Sequence, residues 1–135
     1  QTVRSLEVSL ELCSEAPRFD EHHPSDISFL INGRHIGIWT SPGDFGTRKG
    51  TYTPDWWNGG TQYGLLKTIR IDESGSFIDG VRMSDTTIAD LSIRYGSEIT
   101  FRLGVDEKAR HMGGLNLFGR GFGNYRQDIR VTMAY

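Results

Sequence analysis

Cysteine is almost missing from this sequence. Cys13 stands alone among 135 residues, which excludes a disulfide framework and a cysteine-based zinc site and fits a reducing compartment. An excess of charge of one sign is missing too. Fifteen Lys and Arg stand against 17 Asp and Glu, a formal net charge of -2, with no basic stripe and no acidic run. Direct contact with nucleic acid is therefore not expected of this segment. No apolar run is long enough to span a bilayer, so no membrane partner is expected. Helical signal is scarce. Ser84 to Leu91 and Asp106 to Met112 each suit a turn or two of helix, and neither is long enough to carry a core.

Motifs for chemistry are as sparse. His22 and His23 are neighbours, so in an extended chain they point to opposite sides; with His35 and His111 they form no HxH or HExxH spacing, and no metal is expected. No GxSxG elbow is present, and Cys13 is expected at the end of the first strand, on its apolar face, as an inert packed thiol. Asp44-Phe45-Gly46 matches the kinase metal-binding triplet only in letters, because the remaining kinase motifs are lacking. Gly119, Gly121 and Gly123 lack the GxGxxG spacing and are followed by a strand pattern, so no helix N-terminus is offered to a phosphate. No cofactor is expected. Loop acids such as Asp20, Asp26, Asp55 and Asp79 read as turn caps and partners of Arg48, Arg120 and Arg126, while a carboxylate pair for glycoside hydrolysis depends on spatial separation and stays open.

What the sequence has in plenty is glycine and period-two alternation. Its 17 glycines are roughly twice the usual share of about 7%. Leu6, Val8, Leu10 and Leu12 alternate with Ser5, Glu7, Ser9 and Glu11, the pattern of a strand with one buried and one wet face. Ile27, Phe29 and Ile31 lead into Asn32-Gly33 and then Ile36, Ile38 and Trp39, a hairpin signal with a type I′ turn. Residues 65 to 71 and 77 to 83 flank 72 to 76 as a second hairpin with a longer loop. Ile99 to Val105 and Ile129 to Tyr135 alternate likewise. The expected fold is all-β: one domain over residues 1–135, an antiparallel β-sandwich of jelly-roll or galactose-binding-like type, with long loops and at most short helices.

Three connections stand out: 14 to 26, 40 to 64 and 113 to 127. Long loops in compact domains are functional or disordered, and the aromatic content of these argues against disorder. The candidate ligand-binding residues are Trp39, Asp44, Phe45, Trp56, Trp57, Tyr63, Arg120, Asn124, Tyr125 and Asp128. Flat rings stack on sugars while Asp, Asn and Arg take the hydroxyls; the same rings also suit a protein interface or core filling, with Trp39 the first candidate for core. Trp56 and Trp57 are expected to face opposite ways, one anchoring the loop and the other free for a partner.

The blocks CSEAP at 13 to 17, SDISFLING at 25 to 33, IGIWTSPGDFG at 36 to 46, PDWWNGGTQYGLLK at 54 to 67, IDGVRMSD at 78 to 85 and GGLNLFGRGFGNYRQDI at 113 to 129 resemble, in this order, the C-terminal region of predicted bacterial transcriptional regulators with an N-terminal ArsR-like winged helix-turn-helix. The DNA-binding helices are absent here, and the start at Gln1 rather than Met reads as an excised effector half. The resemblance implies a cytoplasmic, non-catalytic domain that senses a small molecule or sugar, or mediates dimerisation, with a homodimer as the full-length state and DNA bound through the other domain. A carbohydrate-binding module is the alternative, and a small glycosidase-like enzyme stands behind it.

Overall fold

A computed structural model describes residues 2–135. The described residues form nine strands: β1 (Ser5–Cys13), β2 (Ser25–Ile31), β3 (Arg34–Ser41), β4 (Leu65–Asp72), β5 (Gly75–Ile78), β6 (Val81–Ser84), β7 (Phe101–Val105), β8 (Asn116–Phe118) and β9 (Arg130–Ala134). One sheet runs β6-β5-β4-β1, and the far side of β1 is shared between β9, opposite Ser5 to Ser9, and β8, opposite Glu11 to Cys13. The other runs β3-β2-β7. Every pairing is antiparallel, and the two sheets make the sandwich that the alternation implies.

The core is the sum of the inward parities. Leu6, Val8, Leu10 and Leu12 of β1 and Ile69 and Ile71 of β4 meet Ile27, Phe29, Ile31 and Ile36 of the opposing sheet, all buried. Complete burial of each such side chain is worth about 1.5–3 kcal/mol, so β1 alone supplies much of the force that holds the sheets together. Asn32 (φ 50°) and Gly33 (φ 78°) close the β2–β3 hairpin with the positive angles of a type I′ turn. Phe29 pairs with Gly37 and Leu30 with His35, leaving Ile36 as an extra residue. This bulge is why Ile36 and Trp39, three apart, both turn toward the core.

Five expectations change. Residues 77 to 83 are not one strand, because Asp79 (φ 48°) and Gly80 (φ 83°) make a second tight turn and split the stretch into β5 and β6. Asp106 to Met112 forms turns rather than helix, and the 84 to 91 signal gives only a 3₁₀ turn at Ala89–Leu91. The 113 to 127 connection contains β8. Cys13 does not lie on the apolar face: it shares the parity of Glu11, and both are buried because the long loops fold over that end of β1.

Candidate binding site

The loops are assembled on one carboxylate. Glu11, read in the sequence as a wet-face residue, is buried. Its Oε2 accepts from the backbone N–H of Gly64 (2.8 Å) and Asn124 (2.9 Å), and its Oε1 from that of Tyr125 (3.2 Å). Hydrogen bonds to a charged group contribute about 1.5–3 kcal/mol each, enough to order a glycine-rich loop that has little apolar surface of its own to bury. Asn124 extends the tie, its Oδ1 accepting from Thr51 N at 3.0 Å. Thr53 Oγ1 joins the same region by accepting from Gly123 N (2.8 Å) and donating to Gln62 O (2.6 Å). The 42 to 64 loop and the 119 to 127 loop are thereby fastened to each other over the end of β1.

Three rings meet where the loops converge. Trp56 and Trp57 stand edge to face at 6.2 Å, and Phe122 lies 6.0 Å from each at 83° and 80°. Such pairs add about 0.5–1.5 kcal/mol beyond area burial. Both tryptophans remain accessible, Trp56 at 73% and Trp57 at 42%, so the expected division into one buried and one free ring does not hold. The segment turns rather than extends, with Trp57 N donating to Pro54 O at 3.0 Å. Trp57 is instead fixed at its polar end, its Nε1 donating to Thr61 O at 2.8 Å, which leaves its ring beside a cleft of about 180 Å³ lined by Trp57, Thr61, Asn116, Leu117, Phe118, Gly119 and Phe122. Asn116 Nδ2 donates to Ser14 O (3.0 Å) and Thr61 Oγ1 (3.2 Å), holding a polar pair at the wall.

The other expected site residues lie elsewhere or serve the frame. Trp39 packs at the margin of the core, with Lys67 Nζ 5.1 Å above its ring. Asp44 is buried; its Oδ2 accepts from Ala16 N at 2.9 Å, while Oδ1 has no hydrogen-bond partner. Phe45 stacks on Tyr63 at 5.4 Å, and the Tyr63 hydroxyl accepts from Arg48 at 3.1 Å, a separate aromatic stack that pins the start of the 42 to 64 loop. Asp128 Oδ1 accepts from the backbone N of Arg120 at 3.0 Å, closing the β8–β9 connection, and the Arg120 side chain is exposed. Asn124 and Tyr125 reach Glu11 through their backbones. The structure therefore gathers Trp56 and Trp57, and adds Phe122, Thr61 and Asn116.

Beneath the loops, burial and then the nearby negative charge of Asp44 push the Cys13 thiol up to about 12. It is a neutral packing group donating to Ser14 O at 3.3 Å. No group of three or more His, Cys, Asp or Glu placed to hold a metal occurs among the described residues, and no helix there is long and apolar enough to cross a membrane. No family model, curated protein or solved structure matches this chain.

Proposed function

We propose that this chain is a non-catalytic binding domain that takes a small polyhydroxylated ligand, such as a sugar, against Trp57 and Phe122, as the effector half of a transcriptional regulator whose DNA-binding part lies outside these residues. The observation that carries this reading is the uncharged cleft between the two loops, in which accessible ring surface stands beside the Thr61 hydroxyl and the Asn116 amide. Rings recognise the apolar face of a sugar and amide and hydroxyl groups its polar edge. A cleft of about 180 Å³ is below the ~300–1,000 Å³ of sites that engulf drug-sized molecules, so the ligand is one small ring, stacked rather than enclosed. Regulation then follows from any difference in ligand affinity between two states of the regulator.

A second reading rests on Trp56, 73% exposed and outside the cleft wall. A ring in that position is a natural anchor for another protein surface, including a second copy of the domain. One screen separates the two. Thermal shift of the domain against monosaccharides and small polyols, repeated in Trp57→Ala, is expected to give a saturable rise in melting temperature that the variant loses. No shift across the panel, together with self-association weakened by Trp56→Ala, would replace the sensor by an interface. A shift that survives Trp57→Ala would put the ligand elsewhere.

A further inference from the structure

The sandwich is not closed along β9. Val131 stands directly opposite Val8 and Met133 opposite Leu6, so all four side chains share one face of the sheet. Leu6 and Val8 are fully covered by the opposing sheet, yet Val131 is 52% and Met133 38% exposed. The three-stranded sheet stops short, with β7 as its last strand. Its uncovered margin is walled by Ile93 and Ile99, floored by Val3 and Met133 and bounded by Arg94 and Tyr135, giving a groove of about 360 Å³, within the range of small-molecule sites. It lies at the opposite end of β1 from the tryptophan cleft, because Met133 pairs with Leu6 whereas β8 pairs with residues 11 to 13.

The wall is preformed. Asn32 holds both ends of the segment 92 to 99: its Nδ2 donates to Leu91 O, its Oδ1 accepts from Thr100 N, and its own N donates to Thr100 O, each at 2.9 Å. Arg94 starts a turn closed by Ser97 N donating to its carbonyl at 3.1 Å. Charge then selects the occupant. Among the described residues Arg94 carries the only charged side chain lining this groove, and it makes no ion pair with any of them. By contrast, Arg4 and Arg70 share their cleft with Asp72 and Glu73, and the cleft beside His22 holds Asp20 and Glu21.

We propose that this groove binds an amphipathic monoanion, an apolar body with a single carboxylate head that pairs with Arg94. One guanidinium balances one charge, which suits a carboxylate better than a phosphate monoester carrying about -1.5 to -2. The site is independent of the tryptophan cleft. The test is titration of the domain with sodium decanoate below its micelle concentration, followed by the methyl resonances of Met133 and by thermal shift, with 1-decanol and decyl phosphate as comparisons. Saturable binding is expected, with the Met133 methyl shifting, affinity at least tenfold weaker in Arg94→Ala and largely restored in Arg94→Lys, and decanol at least tenfold weaker than decanoate. Decanol or decyl phosphate binding as tightly as decanoate would overturn the assignment of the head. Unchanged affinity in Arg94→Ala, or no saturable binding, would overturn the site. So would a dimer that Met133→Arg dissociates and decanoate does not affect, since the groove would then belong to a second copy of the chain.

Discussion

Glu11 is one side chain serving three backbone donors from two separate loops, and so ties both to the end of β1. Glu11→Ala leaves the buried N–H of Gly64 and the partly buried N–H groups of Asn124 and Tyr125 without their acceptor, at about 1–3 kcal/mol for each group left unsatisfied. A loss of at least about 3 kcal/mol in urea unfolding is expected, with Glu11→Gln milder because one acceptor oxygen remains. A loss within about 0.5 kcal/mol would show that the loops are ordered by other means. The residue could not be picked out by alternation, since its neighbours Glu7 and Ser9 carry the same parity and are less buried. Cys13, two residues on, shares this register, but the expectation that it lay on the apolar face hid that it belongs with Glu11. One such side chain at a strand end is too little to declare a covered face, and the cover itself comes from residues more than fifty and a hundred positions away.

Among the elements, the 119 to 127 loop depends on close approach. A Cβ built on Gly123 would lie 2.3 Å from Glu11 Oε2, and its φ is +84°, a left-handed conformation that costs an ordinary residue about 1–2 kcal/mol. Gly123→Ala therefore has to push the loop off its carboxylate. The expected result is a destabilised domain whose near-ultraviolet tryptophan dichroism falls, as Phe122 loses its seat against Trp56 and Trp57; an unchanged spectrum would dissociate the ring cluster from the loop. The strands themselves were legible wherever one face is buried and the other wet, as in β1, β2 and β7, because period two is imposed by the pleat. Asp79-Gly80 is as good a type I′ signal as Asn32-Gly33, but the apolar residues on both sides of it mimic one continuous strand. β8 was hidden for another reason: Asn116, Leu117 and Phe118 are too few to show a period. Of the site, the tryptophan pair was legible from composition, whereas the partners Thr61, Asn116 and Phe122 depend on how three connections converge.

For the molecule as a whole, titration bounds stability on both sides. Hydrogen bonds from Thr40 and from the His111 backbone and ring hold the Asp26 carboxyl below its usual range, and Ser74 with Arg70 does the same for Asp72. Their folded pKa values lie under the unfolded ones, so the unfolded chain binds more protons in acid. The stability they contribute is present above about pH 4 and is lost as pH falls through their folded values. Cys13 has the opposite sign. Raised from 9.0 to about 12, it stays neutral in the folded state while the unfolded thiol ionises, so stability falls as pH rises from 9 toward 12. Urea midpoints under reducing conditions should decline in that alkaline window for the parent chain and less steeply for Cys13→Ala, and parallel declines would refute the assignment. The pairing of β1 also sets an order of events. β1 receives its partners from residues 65 to 72, 116 to 118 and 130 to 134, so as the chain emerges from a ribosome one edge of β1 waits unpaired until residues 116 to 134 have been made. Folding of this domain is accordingly governed by long loop closures, and the nascent β1 is the segment that a chaperone would have to shield.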